Sequence, residues 1–564
     1  MKKSILWPVA ALLLLAVGCN KDNITVVSDT TSSGGGVDVS DVENIDTNYD
    51  RTVNVVFATA GATVSGTGDS LTATVSGNDV TIHNLGTEKV LYNVSGTTTD
   101  GFLKIYSDRK QAVRLDGASI KNTRGAAINV QGETTRSKGK RVDLILTGAS
   151  TVADGSSYTL TPSDEDEKAA IFSEGQIIVS GSGSLTVNAT GKSGITSDDY
   201  VAFLDGCTVD VSSSAGHGVR GKDFILVSGG TITVNVSANG RKGFSSDSLV
   251  RFEGGETTIG ITGSTVVESG DTARSAGIKA DQLFEMAGGS LTITNSGTGG
   301  KGISGDGAAV FSAGTVNVTV TGNNFGSSGG GWGGGWGGNN SNNSVGAKGI
   351  KFDGAITITG GTIAVTASKH EGIETKSTLT ISGGQVYSQS SDDAINSASD
   401  MTISGGYVCA YSTGNDGLDA NGDLYINGGV VYAIGASSPE VAIDANTEGG
   451  HKLYIQSGAT IIAIGTLENG AQLSQSCYQA SSWTRNVWYS MTVGNNTYAF
   501  KTPSSGGSRL VVSGPQQPSL KSNVTVSGGT SICKGMLNLA PETSGGSNVT
   551  LSNYSGGGGG GGWH

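Results

Sequence analysis

The chain has 564 residues, enough to bury a sizeable core, and its 36% hydrophobic and 6% aromatic content suits a stacked protein of small aliphatics better than a globule. A net charge of −13 argues against nucleic-acid binding. With 92 glycines, 7 prolines and long stretches dominated by Gly, Thr, Ser and Val, helix is disfavoured throughout.

The N-terminus reads as a secretory leader: Lys2-Lys3, then an apolar run over 5–17. It ends in Leu15-Ala16-Val17-Gly18-Cys19, which resembles a lipobox. The expectation is a signal peptide over 1–18 and lipid attachment at Cys19. Asn20-Lys21-Asp22 resembles the short signal that sends some lipoproteins to the outer surface. The expected location is therefore the outer membrane, surface-exposed or facing the periplasm. Residues 19–50 are Ser/Gly/Asp-rich and read as a flexible tether.

Beyond a first β region at 51–124, the chain repeats. Anchors stand at Ala170, Gly194, Gly218, Gly243, Gly277, Gly302, Gly349, Gly372, Ala394, Gly417 and Ala442, mostly 22–25 residues apart. The two longer spacings, 34 and 47, are one repeat plus an insertion. Residues alternate with period two: Leu379-Thr380-Ile381, Met401-Thr402-Ile403 and Leu424-Tyr425-Ile426 fall in register, each followed by Gly-Gly and a second strand. Repeats of this length, without helix, are too short for a propeller blade and lack a leucine-rich signature. They fit an all-β fold, a right-handed single-stranded parallel β-helix with an N-terminal β cap and a C-terminal β extension. Inward aliphatics then stack about 4.8 Å apart. The expected bounds are 51–124 for the cap and first coils, 125–466 for the repeats, 467–555 for a C-terminal β region and 556–564 for a Gly-rich tail. A Gly/Trp-rich insertion at 322–346 contains Trp332 and Trp336, which sugar stacking or a partner-binding role would each suit.

Cys207 and Cys409 fall in strand patterns and read as small core residues. Cys477 and Cys533 share the C-terminal segment and are candidates for a disulfide. No cysteine has metal-ligand spacing.

Charge follows the repeat. Residues 370–450 hold 11 acids against one base, Lys376. Counting each anchor as zero, position −1 carries Glu371, Asp393 and Asp416, and position +2 carries Glu374, Asn396, Asp419 and Asp444. Asp392 sits at −2. Stacking would align these carboxylates one rung apart, where like charges repel unless a hard cation lies between them. Calcium, which takes carboxylate and carbonyl oxygens, is the expected cofactor; a solvated acidic face is the plainer alternative. Asp393, Asp416, Asp419 and Asp444 are the first expected ligands, then Glu371, Glu374 and Asp392. The preceding repeats carry bases instead: Arg220, Lys279 and Lys351 at +2, and Lys242, Lys301 and Lys348 at −1. Lys279, Lys301, Lys348 and Lys351 form a strip suited to the carboxylates of an acidic polysaccharide. The five histidines are scattered, and no catalytic constellation stands out.

These features together resemble the family of carbohydrate-binding calcium β-helix proteins, related in fold to pectate lyases. The resemblance rests on Tyr92-Asn93-Val94-Ser95-Gly96 with Val113-Arg114-Leu115-Asp116-Gly117, on Gly181-Ser182-Gly183-Ser184-Leu185 with Lys192-Ser193-Gly194-Ile195, on the Trp/Gly insertion, and on Arg509-Leu510-Val511-Val512-Ser513-Gly514-Pro515. It implies calcium held by coil carboxylates, here Asp393, Asp416 and Asp419, and non-catalytic binding of cellulose or an acidic, pectin-like polysaccharide. The earlier coils depart from the pattern, with Lys or Arg at the matching corners. A calcium-dependent lyase with Lys351 as base, one repeat from Glu374, is the enzymatic alternative. An adhesin or structural surface protein is the third. The expected assembly is a monomer, membrane-bound by its lipid.

Overall fold

The computed structural model describes residue 42 and residues 47–133, 141–159, 161–163, 165–326 and 344–554. Cys19, the leader, most of the Gly/Trp insertion and the tail 556–564 lie outside the described residues. The chain divides into units 1–45 and 46–564; Val42 alone is described in the first, and the following concerns the second.

The described residues form strands and no α-helix. One repeat shows the plan. Ser193–Ser197 carries the anchor, Tyr200–Phe203 follows, and Thr208–Ser213 comes third. Each pairs in parallel with its counterpart in the next repeat, Val219–Gly221, Phe224–Val227 and Thr231–Val236. The anchor strands belong to a sheet of 15 strands reaching to Ile443–Ala445, and the other two sets run within a sheet of 33. The expected all-β architecture with long parallel sheets is therefore present.

Glycine at the anchor is a packing requirement. A Cβ on Gly194 would lie 2.3 Å from Val211 Cγ1 and 2.6 Å from the Gly218 carbonyl oxygen. The anchor and the aliphatic after it both face inward, leaving positions −1 and +2 to carry polar side chains. Ile195, Val219, Phe244, Ile278, Ile303, Ile350, Ile373, Ile395, Leu418 and Ile443 are consecutive register partners, each at most 1% exposed. Alongside them runs a phenylalanine core, Phe203, Phe244, Phe252, Phe284, Phe311 and Phe352, with ring centroids 5.3–6.3 Å apart. In the Gly-Gly pairs the two glycines do different things. Gly406 takes a left-handed φ of 76°, whereas Gly405 has no room for a Cβ, which would meet the Ser382 carbonyl oxygen at 2.3 Å.

Both ends finish in antiparallel pairs, which cover strand edges that would otherwise template further pairing. At the N-terminal end Leu71–Ser76 folds back on Asp79–Asn84. At the other, Thr460–Ile464 pairs with Leu510–Ser513. A six-stranded antiparallel sheet, built from Trp488–Val493, Asn496–Lys501, Ser519–Ser527, Thr530–Ile532, Leu537–Leu539 and Glu542–Asn548, follows. Its Tyr489, Met491, Phe500 and Leu537 share a second core with Tyr387, Cys409, Tyr432 and Ile462 of the last repeats.

That contact corrects the cysteine assignments. Cys409 is bonded to Cys533, with Cα atoms 6.0 Å apart, while Cys477 is buried and free. Cys409 sits between Tyr387 and Tyr432 in register on the third-strand face, which the C-terminal sheet covers. The strand pattern alone made it resemble a residue of the inner core. Cys207 is buried and free, as a small core residue should be.

Candidate functional site on the anchor-strand face

Register turns the two sequence positions into columns. Position +2 runs Arg220, Ser245, Lys279, Ser304, Lys351, Glu374, Asn396, Asp419, Asp444, each paired with the next. Position −1 runs Lys242, Ala276, Lys301 and Lys348 by strand register. It continues into Glu371, Asp393 and Asp416, where each anchor amide N–H donates to the carbonyl of the −1 residue one repeat on. The columns are neighbours, since Lys348 at −1 reaches Glu374 at +2 of the next repeat.

The sequence-predicted residues fall into two groups. Glu371, Glu374 and Asp392 have cationic partners. Lys348 Nζ lies 3.1 Å from Glu371 and also bonds Glu374, which takes Lys376 as well. Glu374 is fully buried, and against that burial the two ammonium groups hold its carboxyl below the usual range. His370 bonds Glu371 and lies 2.9 Å from Asp392. Burial opposes its charge, yet the two carboxylates hold its pKa up at about 9. His370, Glu371 and Asp392 are close enough for one ion, but a charged imidazole already occupies them.

Asp393, Asp416, Asp419 and Asp444 have no ammonium or guanidinium within ion-pair distance among the described residues. Their hydrogen-bond partners are backbone amides, the Asn396 side chain and other carboxyl groups, Glu468 beside Asp444 and Asp393 beside Asp419. Asp393 Oδ1 accepts from the Asp416 amide at 3.1 Å, and Asp416 Oδ1 from the Val441 amide at 2.6 Å. Asn396 Nδ2 donates to Asp419 at 2.5 Å and to Asp393 at 3.3 Å. Burial, then Glu440, Asp419 and Glu468, push Asp416 up to about 7, although the Val441 amide works the other way. Buried Asp393 and half-buried Asp419 form a pair shifted upward by desolvation and the surrounding carboxylates. Asp444 is shifted upward by burial and by Glu468.

Glu468 escaped the sequence reading. Ile443 bridges to Leu467, which sets Glu468 beside Asp444. The signal was present, because Leu467-Glu468 repeats Ile443-Asp444 24 residues on, but Thr466 replaces the Gly or Ala anchor.

On the basic side a cavity of about 330 Å³ opens among Lys242, Lys279, Lys301, Lys348 and Lys351. It brings together all four of the expected substrate-binding lysines. Lys279 lies 3.1 Å from Asp281 and 2.5 Å from Asp306, and Lys351 bonds Asp353. A larger groove of about 670 Å³ lies on the third-strand face and is lined by uncharged residues, among them Asn188, Ser212, Asn235, Thr294 and Thr319.

Residues 76–394 match the family model described as carbohydrate-binding domain-containing protein. The chain belongs to that family. The match takes in the basic repeats and reaches the first acidic ones. A carbohydrate-binding domain-containing protein of Acetivibrio thermocellus is 32% identical over 117 residues, 20% of this chain and 40% of the relative. The aligned part is thus less than half of that protein. Among solved structures, a polysaccharide lyase-like protein from C. thermocellum, determined as a gadolinium derivative, is 23% identical with a TM-score of 0.38, covering 46% of this chain and 97% of that one.

Proposed function

We propose that this protein is a non-catalytic polysaccharide-binding protein of the cell surface whose anchor-strand face holds the polymer, cellulose or an acidic pectin-like glycan. Its repeats wind as a right-handed single-stranded parallel β-helix, and calcium occupies the acidic columns. The observation that carries the reading is the paired columns themselves. Family membership supports a carbohydrate partner, and the columns supply an elongated, rigid row of charged groups on one sheet. A rigid row gathers many weak contacts along a polymer with little ordering cost on the protein side.

The donor set fits calcium. Asp393, Asp416, Asp419 and Asp444 offer hard carboxylate oxygens, have no ammonium or guanidinium within ion-pair distance among the described residues, and hold their protons more tightly than usual in the absence of a counter-charge. Glu468 extends the set. Glu371, Glu374 and Asp392 would have to give up Lys348, Lys376 or His370 to join it. Bound calcium would neutralise these acids and accept sugar oxygens as ligands. The chain's own part is to orient the carboxylates, through the Asp416 and Val441 amides and the Asn396 amide group, and to present Lys279, Lys301, Lys348 and Lys351 beside them.

Binding is preferred to lyase chemistry because Lys351, the candidate base read from the sequence, is ion-paired with Asp353. A lipid on Cys19 would hold the protein at the outer membrane. Affinity electrophoresis in polygalacturonate and pull-down on insoluble cellulose test the reading. Retention in at least one, without release of unsaturated product, is expected; retention in neither overturns it.

A further inference from the structure

The basic cavity is built by more than the repeat. One wall comes from the 34-residue repeat, where Val266–Glu268 and Asp271–Ala273 form an antiparallel hairpin that delivers Arg274 to the rim. Another comes from Ser344–Gly346, where Val345 pairs with Phe325. Space arises in the −1 column itself, because Ala276 stands between Lys242 and Lys301 in register. We infer that this cavity is a calcium-independent pocket for a single carboxylate-bearing sugar, a uronate residue, gripped by Lys301 and Arg274. The inference rests on the polysaccharide-binding reading and gives that face a second, metal-free mode of recognition.

Lys301 carries the argument. Its residue is 7% exposed and lines the cavity, yet no carboxylate lies within ion-pair distance of its ammonium among the described residues. The opposing charge it feels is Glu374, already committed to Lys348 and Lys376. The acids in the cavity wall are taken too, Asp306 by Lys279 and Asp353 by Lys351. Burying an unpaired ammonium is costly, and an anionic ligand is the ordinary remedy. Burial, then Arg274, Lys348 and Lys351, lower the Lys301 pKa to about 7, so the site resists its own charge until an anion arrives. Arg274 is exposed at the rim, likewise without a carboxylate partner among the described residues, and its planar fork matches a carboxylate. The volume lies at the small end of ligand pockets, about 300–1,000 Å³, which suits one sugar ring. With its two acids occupied by lysines, the cavity has no free carboxylate to hold calcium.

Calorimetric titration of the full chain with a galacturonate trimer in excess EDTA tests this. Wild type should bind, and Lys301→Met and Arg274→Gln should each lose about ten-fold or more in affinity, the usual scale for a charged hydrogen bond. Arg274→Gln is a surface change, so folding does not confound it. A cellulose-derived trimer and sodium sulfate should not compete. No binding in EDTA by a wild-type protein that binds with calcium overturns this inference alone; no binding in either condition overturns the polysaccharide reading as well. Unchanged affinity in both variants also overturns it. Sulfate binding as tightly as the trimer, with the same losses, would make this an inorganic-oxyanion site and not a sugar pocket.

Discussion

Lys351 and Glu374 are register partners on adjacent parallel strands, and at that step the +2 column changes from cationic to anionic. They are not each other's ion pair, since Lys351 bonds Asp353 while Glu374 takes Lys348 and Lys376. The boundary therefore separates two surfaces with different needs. Among the described residues, Lys301 has no carboxylate within ion-pair distance, and Asp393, Asp416, Asp419 and Asp444 have no ammonium or guanidinium.

Without calcium, stability should fall as pH rises from about 4 to 7. The sign follows from Asp416, whose folded-state pKa of about 7 stands above its ordinary 3.8. The folded state then holds the extra proton, and the stability this gives is complete below the unfolded pKa and lost on passing the folded one. A shift of that size is worth roughly 4 kcal/mol at most. Melting curves in EDTA across this window check it, and excess calcium should abolish the slope near pH 7 by binding the ionised form. Asp393, Asp419 and Asp444, also shifted upward, add to the fall, and His217, held down at about 3 by burial, opposes it. Above pH 7 Lys301, lowered to about 7, adds stability while Asp393 and Asp444 continue to remove it, so the slope is predicted only up to that point.

Asp416→Asn should reverse the usual direction of a buried substitution. In EDTA at neutral pH it removes a repelled carboxylate and should stabilise the fold by roughly 1–3 kcal/mol. In calcium it should lose most of the rise in melting temperature shown by wild type. Equal calcium responses in the two proteins would count against Asp416 as a ligand.

The repeat was legible because its constraints are steric and local. Gly194, Gly302 and Gly349 recur where a Cβ would strike the neighbouring strand, and Ile303 or Leu418 one residue later must be inside. The columns followed, since parallel register preserves position. What was not legible depends on contacts distant in sequence. Nothing near Cys409 reveals that a sheet built from 488–548 covers its face, so its bond to Cys533 went unread. Arg274 was hidden in an insertion whose hairpin geometry sets where it ends up. Glu468 was missed because the repeat motif fades at Thr466. The commitment of Glu374 to Lys348 and Lys376 appears only when neighbouring repeats are stacked.

Cys533→Ala should loosen the C-terminal sheet from the last repeats. The bond closes a span of 124 residues, and loss of a native disulfide costs roughly 2–5 kcal/mol. Denaturant unfolding of the variant, and of wild type with reductant, should show the same destabilisation. Cys207 and Cys477, both buried, should resist alkylation until unfolding.

Cys19→Ala should release the protein from the membrane fraction, because lipid at that residue is the proposed anchor. Fractionation of cells expressing each form checks it, and continued membrane association of the variant would contradict it.

The most direct measurement is affinity electrophoresis of wild type and of an Asp393→Asn, Asp416→Asn double variant in gels containing polygalacturonate and calcium, with cellulose pull-down in parallel. The account predicts that wild type is retarded by the polymer or retained on the solid, and that the double variant is held less. Wild-type mobility unchanged by polygalacturonate, together with full recovery from the cellulose supernatant, would contradict it.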